Sequence, residues 1–516
     1  MRVDLANFKA LYEKLFEVDY NGTVPGICVS LNGLASIRAA TSKGAPFLPL
    51  AYQENFANPL DARLPGIMSK LDQQVQSGAR SPEYRALVLE ALYGAIYQHG
   101  HRVTRVEAQP QLKRFLAVVS NLYRSFIDAN KRTAAGVQLV TETPPLALFQ
   151  SVSDGPFTIE SDLMKDKVGV SIGVVSLPAT YRDHPVLWSA LSHEVGGHDV
   201  VHADAGLVAE MAGKTRSLLT PVFKPRSNLD TATLNALIWS YWMDEAAADV
   251  YGILNMGPSF AINLACFLAA FRAKRRGQTE AGDPFVSIDT AVVPGADEDH
   301  PDMDDHPIDL LRFHVAAGAV EGLKGLSAAA RNDYVASIEA VANLVAGGAT
   351  EIGLRGQVTI DRDSKIPVDT NMKLSDAALA ARKVGRMLAS EKFARLNNHG
   401  IQDIETWDDA DEEMAQEICR RVLAGQSIVS RGDDAQLLAG VTLALLQKPD
   451  LYAAATTLLN AALDDSFDRD PIWGATLRGH AMMRGGKARA AAKAEGKPAK
   501  GSTAKGKAKK PAGKKR

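Results

Sequence analysis

The sequence has little cysteine. It contains three residues among 516, Cys28, Cys266 and Cys419, which are far apart and form no C-x-x-C pair. An odd and sparse set excludes a disulfide framework and favours a reducing compartment. It also argues against a metal site built from thiolates, so any metal ion here is expected to have nitrogen and oxygen ligands.

Long hydrophobic runs are absent as well. The most apolar stretch, Phe260–Phe271, has about a dozen residues, whereas about 20 are needed to span a bilayer. The first 20 residues alternate charged and apolar side chains and lack the apolar core of a signal peptide. We therefore expect a soluble, cytoplasmic protein without a membrane span, whose oligomeric state the sequence leaves open.

Overall charge is nearly balanced, with a formal net charge of -2, but its distribution is uneven. Residues 484–516 hold 13 Lys and Arg against one acid and carry +12, while the rest of the chain carries -14. This segment has almost no large apolar side chains, so we predict a disordered basic tail. The tail either solubilises the protein or makes nonspecific contacts with an anionic polymer or membrane surface. The acidic body gives no reason to expect specific nucleic-acid binding.

Apolar periodicity predicts an α+β protein that is mainly α-helical. We divide it into an N-terminal helical region (1–150), a central core (151–352), a C-terminal helical region (353–483) and the tail. Within the core, Gly155–Ile159 and the β-branched run Val168–Leu177 predict strands of a small sheet. A helix is expected to begin near Pro185, and one long helix is expected over Ser227–Met256.

The most informative segment is His193-Glu194-Val195-Gly196-Gly197-His198. Zinc peptidases commonly carry H-E-x-x-H, which sets two imidazoles one turn apart on one helix face. Here the histidines are five positions apart, and five steps of about 100° leave the second side chain about 140° from the first. The two could share one ion only if a π-bulge absorbs the extra residue, and the two glycines are where such a distortion costs least.

A second segment offers the remaining ligand. In Asp244-Glu245-Ala246-Ala247-Ala248-Asp249, Glu245 and Asp249 are separated by one helical turn and point the same way. Glu245 could bind the metal while Asp249 accepts the free ring N–H of a ligand histidine. The three alanines leave room for two helices to approach closely.

Together these segments resemble the H-E-x-x-G-H and E-E-C-R-A-E/D motifs of the dipeptidyl peptidase III family, which belongs with the gluzincin metallopeptidases. The resemblance covers about 60 residues; Asp244 replaces a Glu, and the Cys and Arg are absent. It implies a zincin-like core with the sheet flanking the metal-binding helix. It also implies one zinc ion per chain on His193, His198 and Glu245, Glu194 as general base and Asp249 behind the ligands.

The predicted reaction is hydrolysis of a peptide bond in a peptide or protein substrate. A hydrogen-bond donor should stabilise the developing oxyanion. We choose His306, in Asp304-Asp305-His306-Pro307, as this second catalytic residue; Arg312, His314 and Tyr251 are alternatives.

Three alternatives stay open at this point. His202 lies four residues after His198, so a site of His198, His202 and a carboxylate is conceivable, although it would leave Glu194 without a role. The enzyme could act on other amides or on esters. The chain could also be a non-catalytic binding or scaffold protein that retains the fold.

Overall fold

The computed structural model describes most of the chain. The described residues are 2–18, 48–77, 109–127, 143–150, 155–223, 230–293, 301–361, 364–430 and 432–474, with a few positions between 88 and 136. The predicted basic tail, 484–516, and Cys28 lie outside them.

The described residues are mainly helical, with small sheets, as the sequence predicts. The helices before and around the candidate site include α1 Leu5–Phe16, α2 Asn58–Gln76, α3 Gln109–Phe126, α4 Ser161–Val168, α5 Ala190–His193, α6 Val200–Ala203, α7 Leu207–Phe223, α8 Thr231–Tyr241, α9 Met243–Met256 and α10 Ser259–Arg275. Those that follow are α11 Asp309–Gly322, α12 Ala328–Val345, α13 Leu374–Ser390, α14 Asp409–Leu423, α15 Asp434–Gln447 and α16 Tyr452–Arg469. None of the helices in the described residues is both long enough and apolar enough to cross a membrane.

Among the described residues, three sheets accompany the helices. The strands are β1 Leu146–Gln150, β2 Phe157–Ile159, β3 Val174–Pro178, β4 Val292–Val293, β5 Asp302–Met303, β6 Glu351–Asp361, β7 Ser364–Lys373, β8 Lys392–Phe393 and β9 His399–Gly400. The first sheet has the order β1-β3-β2, with β3 parallel to β1 and antiparallel to β2. In the second, of order β4-β5-β6-β7, the long β6–β7 hairpin holds the two short strands that lead to His306.

Two predicted elements differ from the structure. The strand expected over Val168–Leu177 begins only at Val174, because Val168 ends α4 and Gly169 adopts a left-handed backbone with φ of 79°. The helix expected over Ser227–Met256 is two helices, since Trp242 leaves the helical region at φ -80° and ψ 13°. Asp230 caps the first of the two helices by accepting a hydrogen bond from the Thr233 backbone N–H at 2.9 Å.

The apolar core is continuous from Phe8 to Trp473 across the described residues. The boundary predicted between residues 352 and 353 falls inside β6. Nearly every residue of α9, α11 and α15 is buried, because these helices pack against other elements on several sides. The candidate site therefore lies on a rigid helical scaffold, and the proposed division into regions stays a prediction.

Candidate metal centre

The predicted π-bulge is confirmed. The chain enters the motif through a 3-10 turn, Pro185–Ser189, and continues as α5, a π-helical segment Glu194–Asp199 and α6. A π turn holds more residues than an α turn, so positions separated by five return to one face. His193 and His198, five positions apart, can therefore point toward the same place.

The two glycines of the motif have a different role from the one expected. Neither adopts a positive φ, so the π turn does not depend on their backbone freedom. A Cβ at Gly197 would instead lie 2.5 Å from Ala248 Cα and 2.6 Å from Ala248 Cβ. Gly197 and Ala248 thus provide the close approach that brings the π segment onto α9, which carries Glu245.

Three side chains converge between these elements. His193 Nε2 lies 3.2 Å from His198 Nε2 and 3.2 Å from Glu245 Oε2, and His198 Nε2 lies 3.3 Å from Glu245 Oε1. Ligand atoms about 2.0 Å from one ion at the tetrahedral angle are about 3.3 Å apart. All three residues are buried, and together they form a group that could hold a metal ion.

The partner of the outer ring nitrogen of His193 leaves its inner nitrogen available to bind a cation. Asp249 Oδ1 lies 3.0 Å from His193 Nδ1. Because a carboxylate only accepts, we assign the ring proton to Nδ1, which leaves a lone pair on Nε2. Two imidazole lone pairs and a carboxylate that point at one another repel unless a metal ion or a proton lies between them. The donor set therefore fits a metal ion of nitrogen and oxygen preference.

Arg312 fixes Asp249 from the other side. Its guanidinium donates Nε–H to Oδ2 at 2.8 Å and Nη2–H to Oδ1 at 2.7 Å, and both side chains are buried. Burial alone would raise the pKa of Asp249, but the charge and hydrogen bonds of Arg312 hold it below its usual range. Arg312, one of the oxyanion candidates, thus orients the carboxylate behind His193.

Asp244 occupies the equivalent place behind His198, and the sequence reasoning missed it. Its Oδ1 lies 3.4 Å from His198 Nδ1, and its Oδ2 lies 3.0 Å from His202 Nε2. His202 also contacts Asp162 through Nδ1 at 3.0 Å. Both ring nitrogens of His202 face carboxylates, so the structure does not bring it into the group with His193 and Glu245. Only the change from the family's Glu to Asp at position 244 drew attention to this residue.

Glu194 lies beside the group, buried and at the wall of a cleft. Thr158 of β2 donates its hydroxyl to Glu194 Oε2 at 2.9 Å. The small sheet thus reaches the π segment through β2, its edge strand among the described residues, rather than through β3. Nothing in the sequence marked Thr158, because its contact depends on how the sheet packs.

The structure also brings His306 to this group. Its Nε2 lies 3.3 Å from Glu245 Oε1, while Nδ1 lies 2.7 Å from Asp304 Oδ1, and its side chain is 54% exposed. The Glu245 carboxylate, followed by the acids Asp304 and Asp305, raises the pKa of His306 to about 11 against the effect of burial. Conversely, burial would raise the pKa of Glu245, but His306 and His198 hold it well below its usual range.

The other oxyanion candidates lie elsewhere. Tyr251 is fully buried and stacks on Phe126 at 5.1 Å. Burial lowers the pKa of His314, whose charged neighbours are Glu339 and Arg382. Neither residue lines the cleft.

The cleft has a volume of about 380 Å³ and begins at His193 and Glu194. One wall is a face of α10, made by Leu264, Phe267, Leu268 and Phe271 at helical spacing. Arg272 and Asp309 also line the cleft, and Arg272 donates hydrogen bonds from Nε to Asp309 Oδ2 at 2.7 Å and from Nη2 to Asp309 Oδ1 at 3.0 Å. The cleft thus combines an apolar wall with several polar and charged side chains, a combination typical of ligand sites.

Comparisons with models of known protein families, with curated proteins and with solved structures gave no match.

Proposed function

We propose that this chain is a zinc-dependent hydrolase that cleaves peptide bonds. The observation that carries the proposal is the convergence of His193, His198 and Glu245 at mutual distances of 3.2–3.3 Å, with Glu194 at the adjoining cleft wall. Two imidazoles and one carboxylate form a donor set that zinc takes in hydrolases, with a further position open. When bound, zinc polarises a substrate carbonyl and lowers the pKa of a coordinated water toward about 7.

The chain's own residues supply the proton transfers. Glu194 accepts a proton from the attacking water and then delivers it to the departing amine. Thr158 holds one carboxylate oxygen of Glu194, which limits its rotation. His306 donates an N–H to the oxygen that gains negative charge, because its ring lies at the group's edge and lines the cleft.

Two features of the cleft favour a peptide over other amides and over esters. Gly155 and Pro156, immediately before edge strand β2, line it, so an extended peptide can pair with backbone groups along this wall. Opposite, the α10 face offers an apolar surface on which a large side chain of the substrate can pack. Substrates with a bulky apolar residue near the cleaved bond are therefore expected to react fastest.

Glu194→Gln tests the mechanism. The full-length protein, loaded with zinc, should contain one equivalent by elemental analysis and cleave members of a peptide library detected by mass spectrometry. The variant should keep its zinc and lose about 10²- to 10⁴-fold in kcat, the usual contribution of a general base.

Glu280→Gln is the matched control, because Glu280 is exposed beyond the end of α10 and should leave kcat unchanged. A parent protein that binds zinc but cleaves no peptide would favour the other hydrolases or a scaffold. Equal rates for Glu194→Gln and the parent would refute the assigned base.

A further inference from the structure

His306 belongs to a short segment that follows β5, and its ring is fixed by the residue two positions earlier. Asp304 Oδ1 accepts the His306 backbone N–H at 2.9 Å and contacts ring Nδ1 at 2.7 Å. With Nδ1 bound to this carboxylate, Nε2 is the nitrogen that faces Glu245. The orientation of the His306 ring therefore depends on where Asp304 is held.

Two aromatic residues hold the segment by its backbone. The Trp242 indole N–H donates to the Asp304 carbonyl at 3.1 Å, and the Tyr241 hydroxyl donates to the Met303 carbonyl at 2.6 Å. Trp242 is 1% exposed and packs edge-on against Trp239 with ring centroids 5.5 Å apart. Because the Trp242 indole is so tightly packed, its N–H restricts the positions that the Asp304 carbonyl can occupy.

Trp242 also begins the helix that carries Glu245. It stands between α8 and α9, and its carbonyl accepts the Ala246 backbone N–H at 3.0 Å in the first turn of α9. One residue thus connects by hydrogen bonds to the element that positions Glu245 and to the segment that positions His306. Glu245 and His306, which these two elements carry, lie 3.3 Å apart.

We infer that Trp242 is a positioning residue for His306, acting through the Asp304 carbonyl. This inference rests on the proposed function, in which His306 donates to the developing oxyanion. Trp242 touches neither substrate nor metal; its indole N–H keeps His306 Nε2 at the site. Loss of that N–H leaves His306 present but less often in position.

The test is a double-mutant cycle on kcat with Trp242→Phe and His306→Ala. Removing an oxyanion donor costs about 10²- to 10³-fold in kcat, so we expect that loss for His306→Ala and about 10-fold for Trp242→Phe, with KM little changed. In the His306→Ala background, Trp242→Phe should have no further effect. An equal 10-fold loss there would overturn the inference, because Trp242 would then act on something other than His306.

Two more variants guard against a folding defect. Trp473→Phe makes the same change of side chain at a buried tryptophan whose indole N–H donates to Ser120 Oγ instead, and it should leave kcat unchanged. Tyr241→Phe removes the hydrogen bond from the Tyr241 hydroxyl to the Met303 carbonyl and keeps the aromatic ring. It should lower kcat less than Trp242→Phe does, and this loss should also vanish in the His306→Ala background. Zinc content and the unfolding midpoint of each variant establish that the fold persists.

An activity-independent readout separates this inference from the proposed function. The chain has 11 histidines, so ring ¹³Cε1 labelling gives few NMR signals, and His306→Ala assigns one of them. Trp242→Phe should shift or broaden the His306 signal, whereas Trp473→Phe should not. An unmoved signal would refute the positioning role even in an active enzyme. A moved signal without peptide cleavage would refute the proposed function instead.

Discussion

Gly197→Ala should cost the protein its metal site, because the added methyl group meets backbone. Its Cβ would lie 2.5 Å from Ala248 Cα and 2.9 Å from the Ala248 carbonyl oxygen, and neither atom can rotate away. Carbon atoms pack at about 3.5–4.0 Å, so the π segment and α9 must separate by about 1 Å. That movement carries His198 away from Glu245, which is now 3.3 Å from it.

Two opposing terms set the size of the effect on stability. Alanine is favoured over glycine within a helix by about 1 kcal/mol, whereas overpacking a close contact costs about 1–3 kcal/mol. We therefore expect a net loss of up to about 2 kcal/mol in the free energy of unfolding of the metal-free protein. The effect on the metal is larger, because ligand geometry must hold to a few tenths of an ångström; we expect affinity to fall by about 100-fold or more.

Chelator competition measures the affinity and urea unfolding measures the stability. Gly213→Ala is the matched control, because Gly213 lies in α7 and a Cβ there meets nothing within 4 Å. Gly196→Ala should be intermediate, since its Cβ would meet a side-chain atom, Asn255 Nδ2 at 3.0 Å, rather than backbone. If Gly197→Ala binds zinc as tightly as Gly213→Ala, the close approach does not set the ligand geometry.

Two further predictions concern buried carboxyl groups. Asp249→Asn should weaken zinc binding about 10- to 100-fold in chelator competition, since the group that orients His193 loses its charge while Arg312 stays buried; unchanged affinity would contradict this. Burial raises the pKa of Asp434 from 3.8 to about 6, so the folded state favours its neutral form. The stability contributed by the protonated Asp434 carboxyl is therefore fully present below the unfolded-state pKa of 3.8. It is lost as the pH rises through the folded-state pKa of about 6. Asp434→Asn, which keeps a neutral group beside Ser466, should therefore gain stability over the parent between pH 4 and pH 7, by at most about 3 kcal/mol in urea unfolding. An equal difference at both pH values would argue against a titrating Asp434.

Spacing along the chain predicted those parts of the site that local geometry fixes. A five-residue interval between His193 and His198 permits a shared target only with a π turn, and the structure has one. The four-residue interval between Glu245 and Asp249 places both on one face of α9. These inferences needed no tertiary information, because helical periodicity alone relates positions within one turn.

Errors arose where a local pattern fits two structures. The β-branched run from Val168 has strand propensity, but Gly169 ends α4 in a left-handed conformation, and the strand starts six residues later than predicted. Apolar periodicity runs unbroken through Trp242, because a break of a single residue barely disturbs it. Local propensity indicates which secondary structures a segment can adopt, and tertiary packing determines which of them forms.

By itself, the sequence indicated the two candidate histidine ligands, the proposed base Glu194 and the helical distortion between the histidines, because these residues are close together in the chain. It indicated Glu245 only through the resemblance and spacing of a second, distant segment. Only the tertiary structure decided which carboxylate stands behind each histidine, that Thr158 bonds Glu194, and that Gly197 is needed for space rather than for backbone freedom. These contacts join residues that are 36 to 56 positions apart. Such residues meet only when whole helices and strands pack, and no local periodicity encodes that placement.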